Sequence, residues 1–224
     1  MCIRDRSGEE KMSKSKGNIL DPIDIIKRYG LDPLRYYLIK EVSFGNDGNI
    51  SQDRLEDCIN SDLANNYGNL CQRVTSFAVK NCDSKIPEKI NFMKQDLEIL
   101  NKFELNKEII RKKIDEQNIN FYIEFIVNSL FDANKYFNDQ EPWNQKNNKI
   151  RLNTIVYTTL EIVRKLSFLL YPIIPNSSLK ALNIFDIKES QIKFSTISEN
   201  EYLKHGQKIN MIDILFKKIE KKND

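Results

Sequence analysis

Histidine and tryptophan each occur once in the 224 residues, as His205 and Trp143. A single histidine excludes any two-histidine metal site, and beside Gly206 it reads as a solvated loop residue. The four cysteines, Cys2, Cys58, Cys71 and Cys82, form no Cys-x-x-Cys pair, so no zinc site or other metal centre is expected. Three of them fall in one helical stretch and read as small buried hydrophobes of a reducing cytoplasm. No apolar run reaches the roughly 18 residues needed to cross a bilayer, so no membrane partner is expected. The opening Met-Cys-Ile-Arg-Asp-Arg lacks the apolar core of a secretory signal. No Gly-x-x-x-x-Gly-Lys-Ser/Thr loop, internal repeat or extended low-complexity tract is present. Basic residues exceed acidic ones by only 35 to 32, which excludes a histone-like polycation. Such a balance is compatible with RNA binding through clustered lysines, and does not demonstrate it.

What is present begins with Lys11-Met12-Ser13-Lys14-Ser15-Lys16-Gly17-Asn18, a loop composition that brings ammonium groups, hydroxyls and close backbone approach into one small volume. A polyphosphate needs such donors, because its charge is spread over oxygens that several groups must meet at once. Phosphoryl and nucleotidyl transfer rest mainly on placing those charges where negative charge develops. By composition alone, a lysine-rich loop is more often a solvated surface turn.

After the loop, Asp21-Pro22 opens a short helix ending at Lys27-Arg28-Tyr29-Gly30. Leu31-Asp32-Pro33 leads into a second helix from Leu34 to about Val42, and Phe44 to Ile50 reads as a turn between short extended pieces. Ser51 caps the longest helical pattern, in which Leu55, Ile59, Leu63, Tyr67, Leu70, Val74 and Phe77 recur at steps of four and three. Further helices are expected over 92–115, built around Leu97, Leu100, Leu105, Ile109 and Ile114 with a break or bend near Asn106, over 118–139, over about 147–171 and over 176–185. Residues 186–208 read as irregular, and Ile209 to Lys218 as a short terminal amphipathic helix. The fold class is therefore mainly α, with an antiparallel helix bundle.

Asn69 and Arg73 lie four residues apart and project from one helical face. An amide can read a base edge and a guanidinium can grip a base or phosphate with two bonds. Trp143, following Pro142 at a helix end, offers a plane on which a splayed base could stack. Each has a plainer reading: polar residues on a helix normally face solvent, and a lone tryptophan normally covers a core. Local spacing does not say whether Trp143 lies near the Asn69–Arg73 pair.

The order Lys11-Met12-Ser13-Lys14-Ser15 resembles the KMSKS loop of class I aminoacyl-tRNA synthetases, and Lys16-Gly17-Asn18 and Asp21-Pro22 continue that pattern. The run Asp47-Gly48, Ser51, Asp62-Leu63-Ala64-Asn65, Gly68-Asn69-Leu70 and Arg73, with Glu141-Pro142-Trp143, is similar to the methionyl-tRNA synthetase family from about residue 8 to 185. The resemblance implies that residues 11–15 close over ATP and its Mg2+, with Lys14, aided by Lys11, as catalytic residues stabilising the pyrophosphate leaving group. It implies that Asn69, Arg73 and Trp143 recognise the CAU anticodon of methionine tRNA, the nucleic-acid partner, with no DNA target. Residues 8–50 would form the KMSKS loop and a small stem-contact α/β module, 51–185 the anticodon-binding bundle, and 186–224 a C-terminal segment. There Leu215-Phe216-Lys217-Lys218-Ile219 departs twice from the family's Leu-Phe-Pro-Arg-Ile. Residues 1–7 do not fit the pattern and read as a non-native junction.

The family's Rossmann-type catalytic domain, with its histidine-containing HIGH motif, would precede the loop and hold methionine and ATP. The expectation is a C-terminal part of a cytoplasmic methionine–tRNA ligase that cannot form methionyl-adenylate by itself. The competing expectation is a non-catalytic, stand-alone tRNA-binding module.

Overall fold

The computed structural model describes residues 20–42 and 50–220, together with the backbone of 6–7 and 10–11. Arg6–Ser7 (β1) and Glu10–Lys11 (β2) pair antiparallel, Arg6 opposite Lys11. Residues 12–15, the Lys11 side chain and the 43–49 turn lie outside the described residues.

Helix α1, Pro22–Tyr29, starts where sequence chemistry places it: the Asp21 carboxylate accepts from the Ile23 N–H at 2.8 Å, and Pro22 lacks the N–H that a first turn leaves unpaired. Gly30, at φ 93°, ends it and turns the chain into α2, Leu31–Glu41. Helix α2 begins three residues earlier than its sequence suggests, because Pro33 falls within the first turn, where a missing N–H costs nothing. Buried Asp32 accepts from the Ser177 N–H and hydroxyl, both at 2.7 Å, and Arg35 donates to the carbonyls of Pro172 and Ile173. Tyr36 and Lys40 converge on Asp62. These contacts tie α2 to the bundle from both sides.

Helical backbone is unbroken from 52 to 81, but it is not one regular helix. α3 (Gln52–Cys58) passes into a ten-residue π-helical segment, Ile59–Gly68, which passes into α4 (Asn69–Asn81). π turns are rare, and they concentrate at functional positions. The expected stripe is buried from Leu55 through Val74, with Phe77 half-buried.

The rest of the bundle is α5 (Lys94–Asp115), α6 (Ile119–Asp139), α7 (Lys149–Leu170) and α8 (Pro175–Asn183). Helix α5 does not break at Asn106: that side chain donates to the Lys102 carbonyl at 2.8 Å along a continuous helix. Its buried stripe also differs from the expected one. Leu100, Phe103 and Ile110 are buried, whereas Leu97, Leu105, Ile109 and Ile114 are exposed, Leu105 by 75%. Helix α7 is the axis of the domain, and every residue from 154 to 170 is buried. Among these are Glu161, Arg164 and Lys165. Burying charge is costly unless each group is paired. Arg164 pairs with Glu161 at 2.6 Å and donates to the carbonyls of Thr196 and Glu199, while Glu161 accepts from the Leu203 N–H. Lys165 donates to the Ile197 carbonyl at 2.6 Å and to Asn200 Oδ1 at 2.8 Å. The irregular chain over 194–203 is thus clipped onto α7 by its own carbonyls.

The expected terminal helix at Ile209 to Lys218 does not form. That segment is an extended strap lying antiparallel along the 52–81 helix: the Ile209 N–H donates to Ser84, Ile212 to Thr75 Oγ1, and Ile219 to Asn60 Oδ1 at 2.8 Å. Asn60 Nδ2 returns a bond to the Ile219 carbonyl at 2.9 Å. Buried Phe216 lies on Gly68, where an added Cβ would stand 3.7 Å from its ring. Ile209, Ile212 and Phe216 are buried and Ile219 half-buried although the backbone is not helical, so a spacing of three and four arises here in a strap tied to the helix beneath it.

Candidate nucleic-acid interface

Arg73 sits mid-way along α4, one turn beyond Asn69, and both are half-buried. Helix α6 runs beside them in the same direction, with Asn134 against Asn66 and Phe137 and Asn138 against Arg73. Arg73 Nη2 donates to Asn138 Oδ1 at 2.6 Å, and its guanidinium lies over the Phe137 ring, 5.4 Å from the centroid. A planar cation above an aromatic face is attracted by the ring quadrupole. One rung lower, Asn134 Nδ2 donates to Asn66 Oδ1 at 2.7 Å. Asn66, Asn69 and Arg73 therefore share a face of the helix, and two asparagines of α6, one turn apart, hold its two ends.

Trp143 reaches the same place by a different route. Helix α6 ends at Asp139, and the chain takes a left-handed step at Glu141, φ 42°, before the short 3-10 turn Pro142–Asn144. The turn is closed by the Asn144 N–H to the Glu141 carbonyl at 2.8 Å. A left-handed residue other than glycine is uncommon, and here it swings the tryptophan back over the end of α6. The Trp143 ring packs edge-on against Phe137, centroids 6.1 Å apart and planes at 74°. Phe77 also makes a T-shaped contact with Phe137, centroids 6.0 Å apart. Phe137 is thus the shared floor on which Arg73 and Trp143 both rest. The tryptophan is 38% exposed, so it does not serve as a core plug: much of its ring is available to a planar ligand.

The structure brings Trp143 and Arg73 together and keeps Asn69 on the adjoining turn. Asn138 and the Asn66–Asn134 pair escaped the sequence reading. The Asn134, Asn138 spacing on α6 is the signal that could have marked them, since residues four apart share a face. Behind the turn lies a second group with no local sequence signature. Fully buried Asp96 is held by Arg151 through Nη1 at 2.5 Å and Nη2 at 2.9 Å, and by Tyr136 Oη at 2.5 Å. Burial alone would raise the Asp96 pKa, but the bonds from Arg151, Tyr136 and the Met93 N–H outweigh it and hold the carboxyl below its ordinary value. The same environment pushes the Tyr136 phenol well above its usual range, through burial and then through Asp96.

Elsewhere, Cys58 and Cys71 are buried with thiols pushed up to about 12, chiefly by burial, and Cys82 to about 11. They are inert core residues. His205 is exposed beside Gly206. Among the described residues, no group of three or more His, Cys, Asp or Glu side chains could hold a metal ion.

Comparison with known proteins places most of the chain in one family. Residues 6–75 match the family described as tRNA synthetases class I (M), and residues 86–224 match the anticodon binding domain of methionyl tRNA ligase. The methionine–tRNA ligase of Brucella suis is 40% identical over 189 residues, 84% of this chain and 37% of that protein. The enzyme of Mycobacterium leprae is 39% identical over 194 residues. Mycobacterium tuberculosis methionyl-tRNA synthetase superposes with a TM-score of 0.84 in its free state, at 33% identity. Bound to methionyl-adenylate it superposes at 0.88 and 34% identity, over 95% of this chain and 43% of that one. The chain spans well under half the length of these relatives. It belongs to the methionyl-tRNA synthetase family, of which it carries the anticodon-binding domain.

Proposed function

We propose that this chain works as the C-terminal part of a methionine–tRNA ligase, whose anticodon surface is built from Asn69, Arg73 and Trp143. The whole enzyme joins methionine to ATP, releasing pyrophosphate, and passes the methionyl group from the adenylate to the terminal ribose of methionine tRNA. Residues 8–50 supply the KMSKS loop and a small stem-contact α/β module, and 51–185 the anticodon bundle. Within the loop, Lys14, aided by Lys11, meets the triphosphate of Mg2+-bound ATP as charge builds on the leaving pyrophosphate. Methionine and ATP are held by a catalytic domain outside these residues, and the work is done in the cytoplasm, on tRNA and not DNA. No helix among the described residues is long and apolar enough to cross a membrane.

The observation that carries this reading is the Arg73–Phe137–Trp143 cluster, in which a guanidinium over the Phe137 ring and an exposed indole edge-on to it share one aromatic contact. Unstacked loop bases are recognised by this pairing of a flat aromatic surface with a two-pronged donor. Trp143→Ala tests it. Stacking contributes about 1–3 kcal/mol per base, so affinity for a CAU anticodon stem-loop falls about 5- to 150-fold. A stem-loop whose anticodon has been changed, already bound weakly through its phosphates, changes little. Equal loss for both would end the anticodon assignment.

A further inference from the structure

The Trp143 ring meets Phe137 edge-on and sits on a turn whose residues 143, 144 and 146–148 are exposed. What fixes the two ends of that turn lies underneath. Arg151 opens α7, where its N–H is capped by Asn148 Oδ1 at 3.1 Å, so its backbone defines the far end of the turn. Its guanidinium reaches back to the near end and donates to Gln140 Oε1 at 2.6 Å. Gln140 is the residue at which α6 stops, immediately before the left-handed step at Glu141. Gln95 Nε2 also approaches Gln140 Oε1, at 3.4 Å. The guanidinium in turn cannot drift, because both its terminal nitrogens are engaged by buried Asp96, whose remaining capacity is taken by Tyr136 of α6 and the Met93 N–H at the start of α5.

One arginine therefore spans both ends of the turn, and its aim is set by a carboxylate on a third helix. We propose that Gln140, Arg151 and Asp96 are positioning residues for anticodon reading: they hold the 140–148 turn so that Trp143 stands level with Arg73. This deepens the proposed function and rests on it for the RNA, while the positioning itself is a property of the protein. A planar fork is needed at position 151, because one side chain must grip the two oxygens of Asp96 and a third oxygen on Gln140; lysine, a single point of charge, cannot. Loosely supported recognition groups lose their effect even when present, since a displacement of about 1 Å can cost on the order of 100-fold in a geometry-dependent step.

Trp143 is the chain's only tryptophan, so its fluorescence reports the turn directly. Gln140→Ala is expected to red-shift Trp143 emission and make it more accessible to acrylamide. The same variant is expected to lower CAU stem-loop affinity about tenfold with little change for an altered anticodon. Its unfolding midpoint falls by no more than about 5 °C, the scale of one hydrogen bond in a chain of this size. Gln140→Glu keeps an acceptor for Arg151 and retains both the emission and the CAU preference, a rescue that mere packing at position 140 would not give. Arg151→Lys behaves like Gln140→Ala. Wild-type emission and CAU preference in Gln140→Ala would overturn the proposal, as would an emission shift with the preference intact. If the unsubstituted chain shows no CAU preference, the anticodon assignment itself fails, and the emission of Gln140→Ala against Gln140→Glu alone decides whether these residues hold the turn.

Discussion

Lys165 provides a test of how the buried charges on α7 behave. Its ammonium is fully buried, and its pKa is lowered from 10.5 to about 7, first by burial and then by the neighbouring Arg164 charge, against the attraction of Glu161, Glu104 and Glu199. A neutral amine still has two N–H donors, enough for the Ile197 carbonyl and Asn200 Oδ1 that it contacts. Between about pH 7 and 10.5 the unfolded chain carries this proton and the folded one does not. Stability therefore rises with pH across that window, and is lost as pH falls towards 7. One such group gives at most about 1.4 kcal/mol per pH unit, and being half titrated at pH 7 it gives about 2 kcal/mol between pH 7 and 9. For a chain of this length that corresponds to a rise of about 4–8 °C in unfolding midpoint. The gain turns over near pH 9. There the thiols of Cys58, Cys71 and Cys82, whose pKa values are raised in the fold, begin to ionise in the unfolded chain alone. The measurement is calorimetry at pH 7, 8 and 9 on the chain and on Lys165→Met. The substitution leaves two acceptors without a donor and so lowers stability in absolute terms; the slope is the diagnostic quantity. A flat or falling profile for Lys165→Met against a rising one for the parent is expected. Identical slopes would refute a neutral Lys165.

Arg73→Lys keeps the charge but loses the fork that bonds Asn138 while leaving donors free, so binding of the CAU stem-loop, followed by fluorescence anisotropy, weakens by about 1–3 kcal/mol. Phe216→Ala removes the ring resting on Gly68 and costs about 3–5 kcal/mol, read by urea unfolding, and cleavage of 206–220 in limited proteolysis accelerates. Asp32→Ala strips the acceptor from the Ser177 N–H and hydroxyl, destabilising the α2–α8 junction by about 2–4 kcal/mol in the same assay. The chain by itself is expected to show no methionine-dependent ATP–pyrophosphate exchange; measurable exchange would contradict the placement of the methionine and ATP sites outside these residues.

How much of this was legible beforehand depended on whether the relevant forces are local. The caps at Asp21 and Ser51, the stop at Gly30 and the stripe from Leu55 to Val74 follow from chain chemistry within a few residues, and they stand where the sequence places them. Helix α5 misleads because its apolar residues outnumber the positions the core can cover: Phe103 packs on Phe125 of α6 and under Lys165 of α7, and Ile110 is buried, while Leu105 and Ile109 stay outside. The strap at 209–220 misleads because its apolar residues recur at steps of three and four, while its backbone bonds go to Thr75 and Asn60, far away in sequence. At the interface, Asn69 and Arg73 were visible as a local pair. Their meeting with Trp143 was not, since it depends on Phe137 as common floor and on a left-handed residue at Glu141 that nothing in the dipeptide Glu-Pro announces.

The π-helical segment at 59–68 has a consequence for how this surface is aimed. Each residue of a regular α-helix turns the next by about 100°. A π turn closes over one residue more than an α turn, so the segment sets the angular phase between the half of the helix that meets α2 and the half that carries Asn69 and Arg73. Removing a single residue between 59 and 68 would leave both halves helical and both core stripes apolar. Yet it would rotate Arg73 by roughly a quarter-turn away from Phe137. The direction in which the proposed anticodon face points is thus written as a residue count in the helical segment before Asn69, with Phe216 of the strap pressed against its last glycine.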